Sequence, residues 1–151
     1  MSMRVSISRK NRKAMISIKN SPKITRRGIR QGFYFLGRDL MKTARDGIKN
    51  KPKTGRIYRI YKNGRRFRHQ ASAPGEYPAN QTGALRRSVR FEVQGTKLHF
   101  GAEEQHGLYL EAKKSRKGRR PFLYKSIRAN QANAKRHFER EIETAYRNEM
   151  I

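Results

Sequence analysis

Between Thr25 and Asn50 the apolar residues Ile29, Phe33, Leu36, Leu40, Ala44 and Ile48 fall at steps of three and four, the spacing that lines one face of a helix. A helix of that length has to lay its stripe on something, so it fixes the centre of whatever fold the chain adopts. Ser21 or Thr25 supplies a capping hydroxyl, and the helix is expected to end before Pro52. Gly28, Gly32 and Gly37 lie inside it, each costing about 1 kcal/mol relative to alanine, and that cost points to close packing against another backbone.

Little else is available to cover the stripe. Of 151 residues, 34% are hydrophobic and 32% charged, enough for one modest core, with part of the surface left for neighbouring subunits to finish. Lysine and arginine number 38 against 11 aspartate and glutamate, a formal net charge of +27. The excess is uneven: residues 1–70 hold 22 basic and 2 acidic side chains, residues 71–151 hold 16 and 9. Self-repulsion at this density calls for a polyanion, an anionic surface or an acidic protein partner, and nucleic acid is the default. The absence of cysteine removes disulfides, thiolate zinc sites and cysteine nucleophiles together. No run of about 18 apolar residues and no signal-peptide core occurs, so the expectation is a cytoplasmically made protein without membrane contact.

Residues 1–20 alternate apolar and polar in two short pieces around the basic "SRKNRK" and read as a basic arm or short strands. Residues 21–151 then form a single α+β domain. "RIYRIYKNGRRFRHQ" carries Asn63-Gly64 between β-prone runs, the strongest short-range hairpin signal. The prolines and glycines of "ASAPGEYPANQTG" make an ordered loop. Leu85, Val89, Phe91 and Val93 alternate with charged residues, Gln94-Gly95 turns the chain, and Leu98 and Phe100 return, which predicts a second antiparallel hairpin. "HGLYLEA" is a helical turn and "KKSRKGRR" a basic loop. Pro121 suits a first helical position, and Leu123, Ile127, Ala134, Phe138, Ile142 and Ala145 trace one long C-terminal helix. The expected architecture is an antiparallel sheet of two hairpins between two long helices.

Chemistry-bearing clusters are scarce. His69, His99, His106 and His137 have no metal-ligand spacing, and Glu103-Glu104 with His106 reads as a solvated loop before it reads as a cation site. No glycine-rich phosphate cradle is present, and Glu76, Glu92 and Glu111, the carboxylates a nuclease would need, stand in no recognisable frame. No cofactor or metal is expected. Arg59, Arg65, Arg66 and Arg68 interleave with Tyr58, Tyr61 and Phe67, either as a stacking platform for nucleic acid or as a solvated face over core-facing aromatics. Arg86, Arg87 and Arg90, with Lys113, Lys114, Arg116, Lys117, Arg119 and Arg120 of the basic loop, could meet a neighbouring subunit or DNA, giving affinity without sequence choice.

Three segments in order carry a resemblance: Thr82, Gly83, Leu85, Arg86 and Ser88 after a proline-bearing loop, then Tyr109 with Glu111, then Arg120, Pro121, Phe122 and Leu123 entering the last helix. Over about Ile24 to Tyr146 the chain resembles the head-to-tail joining or tail-completion proteins of long-tailed bacteriophages, the lambda-like minor tail protein Z group. It departs where members often have a glycine soon after the glutamate, since Ala112 and a lysine run follow here. The resemblance implies a virion neck protein without enzymatic activity, made in the bacterial host cytoplasm. It would work as a ring of six copies, or of twelve, at the head–tail interface. Its partners would be itself, other neck, connector and tail-tube proteins, and genomic DNA in the channel. Within that frame Gly83 turns the chain, Leu85 enters the core and Pro121, Phe122 and Leu123 anchor the last helix. The competing expectation is a free, sequence-nonspecific nucleic-acid-binding protein; a phage enzyme or host-directed toxin is the remaining class.

Overall fold

A computed structural model of the chain describes residues 22–112 and 118–149. The predicted N-terminal arm, the Ser21 cap and Lys113, Lys114, Arg116 and Lys117 lie outside the described residues. The elements run α1 (Pro22–Asn50), β1 (Ile57–Lys62), β2 (Arg65–Gln70), α2 (Ala84–Ser88), β3 (Val89–Gln94), β4 (Lys97–Ala102), α3 (Gln105–Glu111), α4 (Leu123–Ala129) and α5 (Gln131–Glu149). The class is α+β.

The periodicity of α1 is realised with the helix at the centre of the molecule. One side carries α5, antiparallel to it. Thr25 Oγ1 and the Tyr146 hydroxyl share a 2.5 Å hydrogen bond, Asp39 Oδ2 lies 2.7 Å from His137 Nε2, and Asn130 Nδ2 donates to Thr43 Oγ1 at 2.9 Å. The glycines set this distance: a β-carbon at Gly28 would stand 2.8 Å from the Ile142 Cα, and one at Gly32 would stand 2.6 Å from the Phe138 ring. Gly28 meets the Ile142 backbone and Gly32 the Phe138 Cα at 3.3 Å beside its ring, while Gly37 faces the Phe91 ring and Gly47 the Tyr77 ring. The expected close packing is therefore present, mostly against rings.

The other side of α1 carries the β3–β4 hairpin. Its register pairs Val89 with Ala102, Phe91 with Phe100 and Val93 with Leu98, so all six inward positions are apolar. Ala44, Ile48, Val89 and Phe122 form the buried centre, with Met41, Tyr77, Leu85, Phe100, Ala102 and Leu123 packed around it. Each fully buried large side chain there contributes about 1.5–3 kcal/mol relative to exposure.

Four local expectations are corrected. The hairpins do not join into one sheet: β1–β2 and β3–β4 are separate two-stranded sheets, and α1 lies between hairpin and helix where the sheet was expected to be the middle layer. Residues 84–88 are a helical turn rather than the start of a strand. Gly83, at φ 79°, launches it, and Leu85 and Val89, four apart, satisfy both periodicities. Pro121 precedes the last helices by two positions instead of opening them. The single C-terminal helix is broken at Asn130, which is buried and donates to Thr43 Oγ1 and to the Ser126 carbonyl, holding the α4–α5 joint.

Candidate assembly and nucleic-acid interface

Of the residues that carry the resemblance, Glu111, Arg120, Pro121, Phe122 and Leu123 meet in one stapled node, and Leu85 packs against its buried centre. Glu111, at the end of α3, turns its carboxylate to the start of α4. Oε2 accepts from the amides of Phe122 (2.9 Å) and Leu123 (3.2 Å), and Oε1 from Tyr124 (3.1 Å). One side chain thus satisfies three amides that a helix start leaves unpaired, and its charge suits the positive end of the helix. Pro121, which has no amide to satisfy, sits just ahead of them.

Arg120 ties the node to the loop after the first hairpin. Its Nε and Nη2 donate to the Ser72 carbonyl at 3.0 and 2.8 Å, and its Nη1 to the Gly118 carbonyl at 3.0 Å. Ser72 is buried. Arg119 Nε donates to the Glu111 carbonyl at 2.9 Å, and the Gly75 amide to the Arg119 carbonyl at 2.7 Å. Phe122 is fully buried and Leu123 packs beside it. Thr82 Oγ1 accepts from the Ala84 amide, and Arg87 Nη1 reaches the Thr82 carbonyl at 3.4 Å. Arg119, Arg120 and Arg87, predicted as contact residues, therefore all make bonds within the chain.

Arg90 pairs with Glu103 at 3.2 Å across an exposed surface, which leaves Glu103 an ion-pair partner. Arg86 is half-buried, with its Nε unpaired. Tyr109 points outward, 62% exposed, beside Leu108 at 71%, so within the Tyr109–Glu111 pair only the glutamate serves the node.

The β1–β2 hairpin is built differently. Asn63 (φ 50°) and Gly64 (φ 71°) make its two-residue turn, as the Asn-Gly pair predicts. The register pairs Tyr58 with His69, Arg59 with Arg68, Ile60 with Phe67, Tyr61 with Arg66 and Lys62 with Arg65. One face holds Ile57, Arg59, Tyr61, Arg66, Arg68 and Gln70, and the other Tyr58, Ile60, Lys62, Arg65, Phe67 and His69. Tyr58, Tyr61 and Phe67 are each about half or more exposed, so the aromatics do not face the core of this chain. Arg65 and Arg66 follow the turn at the start of β2, and Arg66 bonds the Tyr61 hydroxyl with its guanidinium over the ring.

A polar clip holds the base of the hairpin. The Gly55 amide donates to the Ala71 carbonyl and the Ala71 amide to the Arg56 carbonyl, and Glu76 Oε2 accepts from the amides of Ala73 (2.8 Å) and Thr54 (3.1 Å) while Oε1 accepts from the Thr54 hydroxyl (2.5 Å). The Thr54 hydroxyl, then the two amides, hold the Glu76 carboxyl below its ordinary range. Lys53 donates to the carbonyls of Gly47 and Lys51 near the end of α1, and burial lowers its pKa against the raising effect of Glu76. Sequence reasoning missed this clip, because Thr54 and Glu76 lie 22 residues apart and no local pattern joins them.

Beside the hairpin, a groove of about 610 Å³ runs between Tyr58, Ile60 and His69 and the loop carrying Pro78 and Thr82. Among the described residues no three His, Asp or Glu side chains converge as a metal site, and no helix is long and apolar enough to cross a membrane. Compared with known proteins, the chain matches no family model, no curated protein and no solved structure.

Proposed function

We propose that this chain is a structural neck protein of a long-tailed bacteriophage. It completes the tail and joins it to the DNA-filled head as a ring of copies, six or twelve, around the DNA channel. Made in the host cytoplasm, it resides at the head–tail interface of the virion and contacts other neck, connector and tail-tube proteins. It performs no catalysis.

The observation that carries this reading is a division of labour. Of the residues of the resemblance, Leu85, Glu111, Arg120, Phe122 and Leu123 close a small body on itself, while Tyr109, with Tyr61 and Leu108, stays more than 60% exposed. A ring subunit needs both, a body that holds its shape and apolar surface kept for its neighbours.

The test is a nonsense mutation at Gln31 in the parent phage, with lysates examined by electron microscopy. Packaged heads beside unattached or overlong tails are expected. Normal infectious particles lacking the protein would reject the neck reading. The second reading, a free nucleic-acid-binding protein, is favoured by the exposed arginines of the first hairpin; it predicts tight, salt-sensitive binding by a monomer and no defect in particle joining.

A further inference from the structure

From Gly47 to Gly75 the chain has nine lysines and arginines and no aspartate or glutamate. The interval contains the whole first hairpin. Among the described residues, every side-chain ion pair lies elsewhere, on α1, the second hairpin and the C-terminal half. The hairpin also sets like charges directly opposite each other twice, Arg59 against Arg68 and Lys62 against Arg65, an arrangement that opposes strand pairing. A two-stranded ribbon is marginal in water even without such repulsion.

The two faces are unequal. Ile60 and His69 are the hairpin's only partly covered residues, and both belong to the face with Tyr58 and Phe67, which borders the groove; Arg59 reaches the groove's rim. The face with Arg59, Arg66 and Arg68 is left outward. Arg66 and Arg68 stand two residues apart on one strand, about 6.8 Å along it, with Arg68 opposite Arg59. Planar guanidinium groups at such intervals match phosphate oxygens better than scattered lysines do. A two-stranded ribbon also has the width that a DNA major groove admits.

We infer that the outward face of the β1–β2 hairpin binds the phosphate backbone of duplex DNA, and that DNA supplies the negative charge the like-charge pairs lack, stabilising the ribbon on contact. This deepens the neck reading by naming the surface turned to the channel, and it rests on that reading for the DNA being the packaged genome. The contact positions the ribbon without reading sequence.

The test uses the purified full-length chain and a 20-base-pair duplex of random sequence, titrated by fluorescence anisotropy from about 50 to 300 mM salt. In the triple variant R59Q/R66Q/R68Q the slope of log K against log salt should fall in magnitude by about 2.7, at 0.9 per lost phosphate contact, with binding weakened roughly a hundredfold at about 0.1 M salt. The equal-charge variant R128Q/K135Q/R136Q, on exposed positions of α4 and α5, should lose less than about threefold on the same scale. R59K/R66K/R68K should keep the slope. Amide exchange across residues 57–70 should slow when DNA is added to the parent chain.

Equal losses in the two neutralising variants would overturn the assignment in favour of diffuse charge. So would an unchanged slope in the hairpin variant, or exchange unaffected by bound DNA. Supplying the hairpin variant to the Gln31 nonsense phage separates the two claims. Joined particles with parental DNA binding by the variant sink the DNA assignment alone. A chain that binds DNA through the hairpin, yet whose loss leaves normal particles, sinks the neck reading alone.

Discussion

The two hairpins are of equal strand length and both close through glycine at positive φ, yet only one belongs to the core. In β3–β4 every second residue is apolar on both strands and the register brings all six to one side, onto α1. In β1–β2 both faces carry arginine and aromatic residues together, and neither face finds a helix or strand to pack on to any extent. Turn chemistry makes a hairpin; it is the purity of one face that decides whether the body keeps it. The impure hairpin is where surface is left for a partner.

The comparison breaks most easily at the core. Phe122→Ala should cost about 3–5 kcal/mol in denaturant unfolding, because the ring is fully buried beneath the second hairpin. A much smaller loss would mean that the packed side is no more integrated than the projecting one. Glu111→Gln keeps the shape but removes the charge that three amides share, and should cost about 1–3 kcal/mol by the same measurement.

A local effect is expected at Glu76. Its folded pKa lies below the unfolded value, so its contribution is complete above the ordinary glutamate range, near 4.3, and is lost as pH falls through the lower folded value. Exchange at the amides of Thr54 and Ala73, corrected for intrinsic rate, should therefore accelerate in that acid window while β3–β4 stays protected. Glu76→Gln should remove the pH dependence. The smallest effect is predicted for Tyr58→Ser with Phe67→Ser, within about 0.5 kcal/mol on the isolated chain, since both side chains are half exposed. A loss of 2 kcal/mol or more, on the order of a core substitution, would place them in a folded interior.

What could be read from the sequence follows the range of the interactions. The period of α1, the Asn63-Gly64 turn and the alternation of Val89, Phe91 and Val93 are local, and each matches the structure. The second turn falls at Gly95-Thr96, one residue past the expected Gln94-Gly95, with Gln94 paired to Lys97 in the ladder. The Leu85–Val89 interval misled because four residues fit a helix and a strand alike. The α4–α5 break was hidden because Asn130 is accommodated by a bond to Thr43, 87 positions away, and the C-terminal apolar pattern runs through it without interruption. The Glu111 cap and the Ser72–Arg120 staple are long-range as well. Their residue types were visible, but only the fold says that Arg120 and Arg119 bond within the chain. The first hairpin's arginines were legible as a cluster, and its exposure follows from a core too small to cover a second hairpin.

The central claim is that the chain keeps one hairpin and holds the other out for a partner. Hydrogen–deuterium exchange on the isolated full-length protein at neutral pH tests it most directly. Amides of β3 and β4 should exchange only with global unfolding, and those of β1 and β2 at least about a hundredfold faster. Equal protection of the two hairpins in the isolated chain would contradict the account.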